Sequence, residues 1–103
     1  MKLFFLLLFI SMSLFAQDTI LIDVREQDEV AQGMLKNAQW IPLSKLDEKK
    51  ITELKEQYKD KKIEVYCRSG GRANKFISLL GFPEAQAKNL GGYEELKTKG
   101  QSK

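Results

Sequence analysis

Ile63-Glu64-Val65-Tyr66-Cys67-Arg68-Ser69-Gly70-Gly71-Arg72-Ala73 is the stretch on which the reading of this chain turns. Its first four residues alternate apolar and charged in a short β-prone run. Beyond Arg72, Ala73, Ile77 and Leu80 recur at helical spacing until Gly81 stops the pattern. The residues between form a strand-to-helix turn that holds the only cysteine of the chain. Two glycines let the backbone there curl into a concavity of N–H groups, and the following helix presents its positive end to it. Such a cup holds anions. A thiol facing into it is a candidate nucleophile, because the thiolate is the reactive form and nearby positive charge favours it. Arg68 and Arg72 add two such charges.

Working outward, Ile20-Leu21-Ile22-Asp23-Val24 reads as a strand buried on both faces, with Asp23 and Arg25 at its end. As an isolated pair these two read as a surface or edge ion pair. Gln27 to Gln32 reads as a short helix ended by Gly33, and Trp40-Ile41 as a brief strand with Pro42 at its exit. Ser44 to Lys59 is the longest helical candidate, with Ser44 able to cap it and a break near Asp47 able to split it. Gln86 to Asn89 reads as a last strand, Tyr93 to Lys97 as a closing helical turn, and Lys99 to Lys103 as a frayed end. Strands alternating with helices imply an α/β fold, a small, mostly parallel sheet with helices on both faces. Ligands gather beyond the carboxyl ends of such strands, where Asp23 to Arg25 and Cys67 to Arg72 both fall.

The loop from Cys67 to Arg72 resembles the active-site loop of rhodanese-type sulfurtransferases, and the likeness extends to both sides. Asp23-Val24-Arg25, Glu29, Gly33, Ala38, Ile41 and Pro42 fit the N-terminal pattern of that family; Gly81-Phe82 and Asn89-Leu90-Gly91-Gly92 fit its closing pattern. The resemblance covers roughly residues 20 to 97 and is nearest to small exported single-domain rhodaneses of the phage shock protein E type. Where the family usually has Gly-His-Ile, this chain has Gly33-Met34-Leu35; Lys36-Asn37 replaces Pro-Gly, and Trp40 replaces the Asn before Ile-Pro.

The resemblance implies a rhodanese-like strand order and a thiosulfate sulfurtransferase that moves sulfane sulfur to cyanide or another thiophilic acceptor through a Cys67 persulfide. It implies Cys67 as the catalytic residue, Arg68, Ser69, Gly70, Gly71 and Arg72 as the donor-binding loop, and Asp23 and Arg25 as its support. The partners are then a small anionic donor and a thiophilic acceptor. If the thiol is already ionised no general base is required, so a chain without histidine can do this chemistry. No metal or organic cofactor is implied, since one cysteine and no histidine leave too few soft ligands for a zinc site.

Three other readings compete. A cysteine phosphatase also cradles an oxyanion, but only four residues separate Cys67 from Arg72, one fewer than such loops have, and the cup would cramp a phosphate. A thiol-disulfide oxidoreductase would need a resolving cysteine. A non-catalytic rhodanese-like binding module would have no need of the nucleophile. A lone buried thiol, the commonest fate of a free cysteine, sits poorly with flanking Arg-Ser-Gly-Gly-Arg.

Composition is that of one globular domain over residues 17–103: 103 residues in all, 43% apolar and 30% charged, too short for a second core. The net charge of +3 comes from interspersed lysines and acids rather than a block, which reads as solvated surface and argues against nucleic-acid binding.

Residues 1–16 are of a different kind. Met1-Lys2 is a basic start, Leu3 to Ile10 is uninterrupted apolar, and Ser11 to Ala16 brings small residues before polar Gln17. That order is a secretory signal peptide, and its apolar part falls short of the roughly 20 residues of a stable membrane anchor. The expected location is periplasmic or otherwise exported, where a structural cysteine normally has a partner in its own chain, as Cys67 does not. Mass measurement of the exported product should show a mature chain beginning near Gln17, with cleavage after Ser13 as the alternative. A soluble cytoplasmic protein still carrying Met1 to Ala16 would overturn this.

Overall fold

A computed structural model describes residues 18–99; the expected signal peptide and the end of the frayed tail lie outside them. The chain runs β1 (Thr19–Asp23), α1 (Gln27–Val30), β2 (Gln39–Trp40), a 3-10 turn (Leu43–Lys45), α2 (Glu48–Gln57), β3 (Lys62–Cys67), α3 (Gly71–Leu80), β4 (Ala87–Gly92) and α4 (Tyr93–Thr98). The four strands form one sheet in the order β2-β1-β3-β4, and every pairing is parallel. This is the α/β architecture read from the alternation of strands and helices, in the rhodanese-like form that the resemblance implied.

Side-chain alternation divides the core in two. Ile22 and Val24 from the β1 end join Ile63, Val65 and Cys67 of β3 on one face, packed with Leu54 of α2, Tyr58 just after it, and Ala73, Phe76 and Leu80 from α3. On the other face Tyr66 packs with Leu35, Tyr93 and Leu96 in a smaller cluster. Both faces are therefore covered, which is why β1 and β3 tolerate almost unbroken apolar runs.

The long helical candidate is divided where Asp47 allowed. Asp47 caps α2, its carboxylate accepting the Lys50 N–H at 2.8 Å, while the Ser44 hydroxyl donates to Glu26 at 2.7 Å instead of capping a helix. The helix from Gln27 is likewise shorter than its pattern, giving way to a turn after Val30. Asn37, standing where the family has glycine, adopts φ 70°, the left-handed conformation that asparagine tolerates.

β4 continues three residues beyond Asn89 because it contains an irregularity. Val65 pairs with Asn89 but Tyr66 pairs with Gly91, so Leu90 is the extra residue and Gly92 is brought opposite Cys67.

Phe76 is fully buried between α3 and the sheet. Phe76→Ala should cost about 3–5 kcal/mol, a large share of the roughly 5–15 kcal/mol that holds a small domain together. Urea unfolding should show the fall in midpoint, and a loss below about 1 kcal/mol would mean that this face of α3 is not packed as described.

Candidate active site

Cys67 ends β3 on the same face as Ile63 and Val65, so its side chain lies at 0% exposure against the larger core cluster. The chain then reverses through Arg68 and Ser69, both exposed, and enters α3 at Gly71. Gly70 closes the turn at φ 100°, a conformation open to glycine at little cost, and its N–H donates to Cys67 Sγ at 2.8 Å. The Gly70 carbonyl accepts from the Asn74 N–H at 3.2 Å and from Asn89 Nδ2 at 2.8 Å. Gly70 is thus held through both of its peptides: the one before it aims an N–H at the sulfur, and the one after it is fixed through its carbonyl by Asn74 and Asn89.

The bulge of β4 supplies the other wall. A Cβ on Gly92 would lie 2.5 Å from the Arg68 carbonyl oxygen, so only glycine lets the strand approach the loop this closely. Asn89 bends the strand, accepting the Gly91 N–H at 2.9 Å while donating to Gly70 and Asn74. Asn89 was not among the expected site residues. Its signal is the Asn-Leu-Gly-Gly run at a strand end, which marks a bend but not what the bend touches.

Asp23 and Arg25 are not a surface or edge pair: they are 0% and 4% exposed. Asp23 accepts from Arg25 Nε and Nη2 at 2.9 to 3.1 Å and from the Arg25 backbone N–H at 2.9 Å. Arg25 Nη2 also donates to the Gly33 carbonyl, and the guanidinium lies 4.0 Å from the centre of the Tyr93 ring. Burial pulls the Arg25 pKa down, but the hydrogen bonds and charge of Asp23 more than offset this, leaving it raised. Tyr66, stacked on Tyr93 at 6.2 Å, is pushed above the ordinary phenol range chiefly by burial, and its hydroxyl accepts the Leu35 N–H at 3.0 Å.

The two loop arginines have different surroundings. Arg68 makes no ion pair among the described residues and lines a cleft of about 340 Å³ with Arg25, Asp28, Glu29, Tyr93 and Glu94. Arg72 is bound by its fork to Glu29, Nη1 to Oε1 at 2.7 Å and Nη2 to Oε2 at 2.8 Å. Glu29 is the second unforeseen residue; its helical position is plain in the sequence, but nothing local announces a partner 43 residues away. The Arg72 hydrogen bonds, aided by the Glu26 N–H, hold the Glu29 carboxyl at about 2 against burial.

The chain matches the family described as Rhodanese-like domain over residues 12–99. It is 36% identical over 89 residues to a mitochondrial Schizosaccharomyces pombe protein with the provisional name thiosulfate sulfurtransferase, covering 75% of this chain and 59% of that one. It is 35% identical over 64 residues to a sulfurtransferase of Allochromatium vinosum, covering 62% and 56%. The chain thus spans less than two-thirds of the length of each. The solution structure of protein hp1203 from Helicobacter pylori superposes with a TM-score of 0.63 at 31% identity, over 82% of this chain and 76% of that one. A parallel sheet with a cysteine loop at its carboxyl edge, taken with these matches, places the chain in the rhodanese-like domain family, whose relatives here are sulfurtransferases.

Glu29 gives the site a measurable acid signature. Its carboxyl is depressed from 4.5 to about 2 on folding, so the ion pair stabilises the fold in full above pH 4.5 and is lost as pH falls toward 2. Urea midpoints across that window should fall less steeply for Glu29→Gln than for the wild type. Equal slopes would show that the pair does not couple to folding.

Proposed function

We propose that the chain is a thiosulfate sulfurtransferase working through a Cys67 persulfide. The observation that carries this reading is the Gly70 N–H donated to Cys67 Sγ in a loop that also exposes Arg68, which makes no ion pair among the described residues. In the first half-reaction the Cys67 thiolate attacks the outer sulfur of thiosulfate. A new S–S bond forms, the S–S bond of thiosulfate breaks, and sulfite leaves with the electron pair. In the second, cyanide or another thiophile takes the terminal sulfur and the thiolate returns.

Negative charge sits at or near the cysteine sulfur throughout, and the Gly70 N–H is already in place to meet it. Arg68 draws the donor electrostatically, while Asp23 and Arg25 hold the loop's foundation. The reaction belongs outside the cytoplasm if residues 1–16 are removed as their order suggests.

Full burial of Cys67 favours a second reading, a rhodanese-like module that binds without turnover. Intact mass separates the two. Incubation with thiosulfate and no acceptor should add one sulfur atom to Cys67, cyanide should remove it as thiocyanate, and Cys67→Ser should do neither. Arg68→Ala should raise the thiosulfate KM several-fold, an effect that shrinks as salt screens the charge. A wild-type protein that never gains sulfur would support the binding module, and turnover of aryl phosphates without a sulfur adduct would support a phosphatase.

A further inference from the structure

The guanidinium that ends the loop already holds an anion, and that anion belongs to the chain. Arg72 donates through both terminal nitrogens to both oxygens of Glu29. Glu29 is steadied in turn by the Glu26 N–H at 2.9 Å, so the pair keeps its geometry without a ligand. Glu29 lines the same cleft as Arg68, and Arg72 stands in the first turn of α3, at the end of the loop that Cys67 begins. A fork spent on one carboxylate is not free to grip a second oxyanion in the same way. Seen by an incoming donor, the pair is close to neutral, and the cleft also carries Asp28 and Glu94.

Building on the sulfur-transfer reading of this site, we propose that Glu29 sets the donor charge the enzyme prefers: by neutralising Arg72 beside the cup, it leaves Arg68 as the open cation and restrains the preference for a dianion over a monoanion of the same shape. Glu29 is thus a specificity-determining residue that acts through Arg72 without touching the reacting sulfur.

Thiosulfate and methanethiosulfonate form the test pair. Each carries a transferable sulfur on a tetrahedral sulfur centre, the first as a dianion and the second as a monoanion. Attack by the thiolate releases sulfite from one and methanesulfinate from the other, each leaving with the electron pair of the broken S–S bond. Glu29→Gln keeps the size of the side chain and an oxygen able to accept from Arg72 while removing the charge; Glu29→Asp keeps the charge.

In the Gln variant, the ratio of kcat/KM for thiosulfate to that for methanethiosulfonate should rise about tenfold, chiefly through a lower thiosulfate KM. In the Asp variant the ratio should stay within about twofold of the wild type. A residue that merely braces the loop would lower both donors together and leave the ratio unchanged. An unchanged or falling ratio in the Gln variant overturns the proposal.

The same forms carrying Cys67→Ser, titrated calorimetrically with sulfate and methanesulfonate, keep this result separate from sulfur transfer itself. Tighter sulfate binding in the Gln form, with methanesulfonate unaffected, supports charge selection by Glu29 even for a wild type that takes up no sulfur. Unchanged sulfate affinity overturns it.

Discussion

A carboxylate and a guanidinium two residues apart, both withdrawn from water, hold this structure to one arrangement. Removing either partner of such a pair typically costs about 3–5 kcal/mol, because the other is left charged and uncompensated in the interior. Each must therefore be satisfied where it stands, and the residues that satisfy Asp23 and Arg25 come from all around them. The Arg25 guanidinium reaches the carbonyls of Gly33 and Glu29 and packs over Tyr93, while Trp40 donates to the Arg25 carbonyl at 2.8 Å. Through its side chain Arg25 ties the end of β1 to α1, to the turn at residue 33 and to α4, and through its carbonyl to β2.

This anchoring decides what the cysteine loop meets. With α1 fixed beside the end of β1, Glu29 faces the first turn of α3 and takes the Arg72 fork. With Tyr93 fixed over Arg25, α4 begins directly after Gly92, whose missing side chain admits the Arg68 carbonyl. The surroundings of the loop are thus set by elements that lie outside it in sequence. The loop's two arginines, equivalent by composition, become one open cation and one neutralised one for the same reason.

Burial of Cys67 is a consequence of strand geometry. A residue at the end of a central parallel strand must point to one face or the other, and the period of two that buries Ile63 and Val65 sends Cys67 the same way. The turn nonetheless gives the sulfur a polar neighbour: the thiol shares the buried cluster of Ala73 and Phe76 and receives the backbone N–H of Gly70.

The amino-acid sequence by itself determined the elements and their kind. Short, mostly apolar runs around Ile22 and Val65, the helical spacing of Ala73, Ile77 and Leu80, and Gly81 as a stop are local signals, since they follow from backbone sterics and burial period within a few residues. The same holds for the loop, whose cysteine, glycines and arginines lie within six consecutive positions. Only the tertiary structure decided which charges are free. Asp23 and Arg25 read equally well as a surface pair, the start of α2 read equally well from Ser44, and Arg72 read as open to an anion. Each was settled by a partner distant in sequence: Tyr93 over Arg25, Glu26 on Ser44, Glu29 on Arg72. Ion pairs and close backbone approaches depend on distances between elements, and those are set by how the sheet and its two cores pack, a quantity that no local pattern carries.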